Sequence, residues 1–102
     1  MSRSDLCVEW TRDLIRIPSL PGQESELADR VMDRLRQSGL DEVWRDDVGN
    51  VLALYRGRGE SAPLILNTHL DHVDPGDPGR WPHPPFSGDI VDGRIWGRGA
   101  VA

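Results

Sequence analysis

Leu6, Trp10, Leu14 and Ile17 recur at spacings of four, four and three, the period of one apolar stripe on an α-helix. Ser4 is placed to cap that helix, with Asp5 and Glu9 near its positive end. Pro18 closes it, because the residue before a proline disfavours helical geometry. After the turn Pro18-Ser19-Leu20-Pro21-Gly22, the pattern predicts a second helix over 24–38, with Leu27, Val31 and Leu35 on one face and Gly39 as its stop. The period then shortens. Val43-Trp44-Arg45 and Val51-Leu52-Ala53-Leu54-Tyr55 read as strands around the turn 46–50.

Leu64-Ile65-Leu66 does not alternate, so the expectation is a short strand covered on both faces, as in the middle of an α/β sheet. The Pro-, Gly- and Asp-rich stretch 71–88 reads as an irregular loop. Ile90-Val91 and Arg94-Ile95-Trp96 flank Asp92-Gly93, a strong hairpin signal. Two helices and about five strands give an α/β piece with an incomplete sheet.

Composition narrows the function classes. A chain of 102 residues suits one small domain. Twelve basic against seventeen acidic side chains give a net charge of −5, which argues against a nucleic-acid partner held through phosphates. No stretch approaches the roughly 18 apolar residues of a membrane span. The first residues lack the apolar core of a secretory signal, so the expected location is the cytoplasm. Cys7, the one cysteine, allows no internal disulfide and reads as a small buried apolar group.

Candidate chemistry gathers after the apolar run. His69 follows a strand end, where ligands of α/β sheets collect, and Asp71 is close enough to hold its imidazole in one tautomer. His72 reads as a solvated loop histidine. His83, in Trp81-Pro82-His83-Pro84-Pro85-Phe86, reads as part of a rigid loop packing Trp81 and Phe86 rather than a proline-rich ligand. Asp71, Asp74 and Asp77 lack the alternate ligands and closing Glu of a calcium loop. Arg56-Gly57-Arg58-Gly59 is read as a tight turn, not an RNA element. Gly97-Arg98-Gly99 lacks phosphate-loop spacing, and its glycines suit a close passage of backbone past a site.

Thr68-His69-Leu70-Asp71-His72-Val73, followed by Trp81, Pro85-Phe86, Asp92-Gly93 and Gly97-Arg98-Gly99-Ala100, resembles the co-catalytic zinc hydrolases that include acetylornithine deacetylase, succinyl-diaminopimelate desuccinylase and glutamate carboxypeptidase. Ile17-Pro18-Ser19, Gly22-Gln23-Glu24 and Gly49-Asn50-Val51 fit the opening of that family, so the resemblance covers the whole chain. It implies that residues 1–102 are the N-terminal part of a three-layer catalytic domain, without its remainder and without the dimerisation domain through which such enzymes form homodimers. It implies two zinc ions (cobalt being an alternative) and a small N-acyl amino acid or peptide substrate. His69 would be a zinc ligand and Asp71 the active-site aspartate that orients it.

The next family ligand, an aspartate bridging both metals, falls at Ala102, and alanine has no oxygen to offer. Two cations roughly 4 Å apart need such an anion to offset their repulsion. The general-base Glu, a further acidic ligand and a distal His would lie later still. The expectation for this chain alone is therefore an inactive fragment that retains little zinc. Two other readings compete with it, a stand-alone non-enzymatic remnant acting as an interaction module, and a single-metal binding module.

Overall fold

A computed structural model describes residues 2–101. Helix α1 runs Arg3–Ile15 and helix α2 runs Ser25–Arg36. The helix begins two residues earlier than a Ser4 cap implies. Ser2 takes the cap: its Oγ accepts from Asp5 N at 3.1 Å, while Asp5 Oδ2 accepts from Ser2 N at 3.2 Å and from Ser2 Oγ at 2.8 Å. Two donors left over at the helix start are thus satisfied reciprocally. α2 ends at Arg36, and Gly39, with φ of +73°, makes the left-handed turn away from it.

Strands β1 (Glu42–Arg45) and β2 (Val51–Leu54) pair antiparallel, with Glu42 opposite Leu54 and Arg45 opposite Val51. Asp46 builds the turn between them: its Oδ1 accepts from Val48 N and Asn50 N, and its Oδ2 from Asn50 Nδ2 at 2.8 Å. Strands β3 (Ile90–Val91) and β4 (Arg94–Ile95) form a second, minimal hairpin through Asp92 and Gly93, both at positive φ. The described sheets are therefore two separate two-stranded hairpins.

α2 packs between α1 and the first hairpin. Asp13 of α1 receives Arg30 at 3.4 Å and Arg34 at 3.2 Å, tying the helices together, and Arg34 also lies over Trp10 at 5.3 Å. The buried apolar core is Ile15, Ile17, Leu27, Ala28 and Met32. With so few residues inside, each matters. Met32→Ala is expected to cost about 2–5 kcal/mol, enough to abolish cooperative urea unfolding. A variant as stable as the parent would show that the core lies elsewhere.

Three expectations fail here. Leu64, Ile65 and Leu66 form no strand and stand 81–88% exposed, because among the described residues no neighbouring strand satisfies their backbone and no apolar layer faces them. Cys7 is exposed rather than buried, since it falls on the outer side of α1. Of the α1 stripe only Ile17 is buried; Leu6, Trp10 and Leu14 line an open apolar groove instead.

Hydrogen bonds hold the carboxyls of Asp5 and Asp46 below the usual carboxylate range, with Ser2 the chief donor to the first and Asn50 to the second. A carboxyl whose folded pKa is depressed stabilises the fold fully above its unfolded value, near 3.8, and loses that contribution as pH falls through the folded value. Circular dichroism on acid titration should show helix and hairpin weakening below about pH 4. Asn50→Ala should flatten the hairpin's share of that acid loss; an unchanged profile would remove Asp46 as its source.

Candidate metal site

His69 and Asp71 lie in the extended stretch between β2 and the 3-10 turn Pro78–Arg80. Both side chains are about half exposed. His69 Nδ1 sits 2.8 Å from the Asp71 carbonyl oxygen and 3.2 Å from Asp71 Oδ1. Both neighbours are acceptors, so Nδ1 carries the proton and donates. The lone pair is left on Nε2, which faces away from the aspartate. A histidine whose second nitrogen is held by a carboxylate in this way is prepared to ligate a metal.

The partnership expected of His69 and Asp71 is thus formed. What the sequence places before it, a buried strand, is not. The pair hangs on a stretch, 57–71, whose backbone makes no backbone hydrogen bond among the described residues. Among the described residues no group of three or more His, Cys, Asp or Glu side chains converges as a metal site would require. The residues present fit one ligand position and its supporting carboxylate and no more. Ala102, where the resemblance puts the bridging ligand, lies outside the described residues.

His72 is not the solvated loop residue it was expected to be. Its backbone N donates to Ser19 O at 3.0 Å, and Ser19 N donates back to His72 Nε2 at 2.9 Å. Its Nδ1 donates to Val73 O at 2.9 Å, and its ring tilts against Phe86 with centroids 5.5 Å apart. With Nε2 accepting and Nδ1 donating, His72 has no lone pair left for a metal. The loop carrying His83 packs both its aromatics: Phe86 lies against His72, and Trp81 lies beneath the Arg98 guanidinium at 4.7 Å, while His83 itself leans on Trp96 at 4.7 Å with Asp89 4.0 Å from its Nδ1.

The passage at Gly97 is close, but to the core rather than to His69. A Cβ there would run into Ile15 Cγ2 and stand 3.2 Å from Pro85 O. The loop before it is clasped to α1, where Arg12 Nε donates to Gly88 O at 2.7 Å and Arg16 Nε to Ser87 O at 3.1 Å. Sequence reasoning missed the His72–Ser19 joint entirely. No local pattern announces a side chain whose partner is a backbone amide 53 positions away.

No protein-family model matches the chain, and no solved structure matches it. The succinyl-diaminopimelate desuccinylase of one Cereibacter sphaeroides strain is 38% identical over 96 residues, and that of another strain 37%. Each match covers 92% of the chain. The chain belongs to the peptidase/deacylase family of which these desuccinylases are members. It spans about a quarter of the length of the curated relatives it matches.

Proposed function

We propose that this chain is the ligand-bearing front part of a dinuclear zinc hydrolase that cleaves amide bonds of N-acyl amino acids or small peptides. The observation that carries this is the His69–Asp71 pair, with Nδ1 bound to the aspartate and Nε2 free, in a chain 38% identical to a desuccinylase. His69 Nε2 would hold one ion; Asp71 would fix the ring and strengthen it as a donor. When bound, such a metal pair polarises the amide carbonyl and acidifies the attacking water. The residues on hand contribute placement and no more. By itself the chain is expected to be inactive and to retain little zinc, because it spans about a quarter of the length of the desuccinylases it matches. The expected location is the cytoplasm.

A second reading, an interaction module without catalysis, draws on the exposed Leu64-Ile65-Leu66 run. Reading the source gene beyond codon 102 separates the two. The first expects an open frame that supplies further acidic and histidine ligands; a stop codon there would leave the second.

A further inference from the structure

We propose that His72 is the positioning residue of this site, a neutral latch that sets where the His69–Asp71 pair stands relative to the Gly97–Ala100 turn. The inference rests on reading His69 as a metal ligand, and it assigns His72 a role that is neither ligation nor proton transfer.

Among the described residues no backbone–backbone hydrogen bond involves residues 57–71, so the apolar run and the His69–Asp71 pair have no such support from upstream. The first tie to the body of the molecule is His72. Its backbone N and its Nε2 engage O and N of the same residue, Ser19, at 3.0 and 2.9 Å. Two bonds to one residue fix orientation as well as distance. Ser19 is itself fully buried and lies two residues after Ile17, a member of the core.

The other contacts of the ring point the same way. Phe86 tilts against it with centroids 5.5 Å apart, and a Cβ on Gly99 would stand at ordinary contact distance, 3.9 Å, from His72 Cδ2. Three segments therefore meet at one imidazole: the turn after α1, the Pro85-Phe86 loop, and the Gly97–Ala100 turn. Asp71 is the residue immediately before the latch, so the ligand pair inherits its position from it.

The latch depends on one tautomer. Ser19 N–H needs the Nε2 lone pair, and Val73 O needs the Nδ1 proton. A histidine in the opposite tautomer would set two donors against each other at Ser19 and two acceptors at Val73. The bond to Ser19 uses only its backbone. The Ser19 hydroxyl is buried without a partner, so Ser19→Ala should leave the latch intact.

Conservative substitutions separate latching from mere filling of space. The Oε1 of Gln reaches where Nε2 stands and can accept from Ser19 N–H; the shorter Asn reaches only the Nδ1 position. Long-range proton–nitrogen correlation of the imidazoles in the full chain reads the result directly. The expected outcome is His72 protonated on Nδ1, His69 likewise, His69 unchanged in His72→Gln, and His69 lost to a mixture of tautomers in His72→Asn. If His72 carries its proton on Nε2 in the parent chain, the proposal is overturned without any variant. It is equally overturned if His69 keeps its single tautomer in a folded His72→Asn. Zinc ion alone, titrated into the parent chain, keeps the two readings apart. A His69 Nε2 resonance indifferent to zinc defeats the metal reading, whereas the latch is judged on the tautomers alone.

Discussion

Replacing Leu64, Ile65 and Leu66 by serine is expected to convert a self-associating chain into a monomer. The three side chains are 84%, 81% and 88% exposed and consecutive, with backbone groups that find no backbone partner among the described residues, the combination that natural sheets avoid on free edges. The overall dimensions carry the same message. The surface is 7974 Å², whereas a compact monomer of 11.4 kDa exposes about 5,800 Å². The radius of gyration is 15.6 Å against about 13 Å for a compact chain of this length. The excess, roughly 2,000 Å², is the area of a substantial interface. Sedimentation velocity of the parent chain should therefore show mass rising with concentration, and the triple serine variant should sediment as one species of monomer mass. A parent chain that sediments as a sharp monomer and unfolds cooperatively would refute this.

Gly97→Ala should be the most damaging single-methyl change in the second half of the chain. The added carbon meets Ile15 Cγ2, and Ile15 is a core residue with 5% of its surface exposed. Neither side can yield cheaply, because Pro85 O stands 3.2 Å away on another flank. Overpacking of this kind costs about 1–3 kcal/mol. The same position anchors Arg98, whose N donates to Pro85 O, so the Gly97–Ala100 turn should loosen from α1 as stability falls. The mechanism is checked in an Ile15→Leu background, which moves the branch away from Cβ. There the penalty of Gly97→Ala should shrink, a non-additivity expected only of residues in contact. Equal penalties in both backgrounds would move the clash elsewhere.

Local features of this fold were legible in the sequence because local chemistry dictates them. The second helix, the stop at Gly39, the turn around Asp46 and the Asp92-Gly93 hairpin each depend on residues a few positions apart and form as expected, although of the predicted helix face Leu27, Val31 and Leu35 only Leu27 is buried, beside Ala28 and Met32. The failures have one cause. Burial of Leu64-Ile65-Leu66 requires neighbouring strands, and an apolar run states the need for cover without supplying it. Cys7 and the groove along Leu6, Trp10 and Leu14 repeat the point, since a helical period shows that a face exists but not what packs on it. At the site, Asp71 was legible as the partner of His69 because two residues separate them. His72 was not, because its partner is a backbone amide that carries no side-chain signature. The core contact of Gly97 was hidden for the same reason: glycine reveals that something comes close, and only the fold says what.

The most direct test of His69 as a ligand backed by Asp71 is the imidazole nitrogen spectrum of the chain as zinc ion is added. The expected result is a weak, saturable shift of His69 Nε2 with Nδ1 still protonated, absent in His69→Ala, and His72 unmoved. Zinc that leaves His69 Nε2 in place, or that displaces the proton from Nδ1, would contradict it.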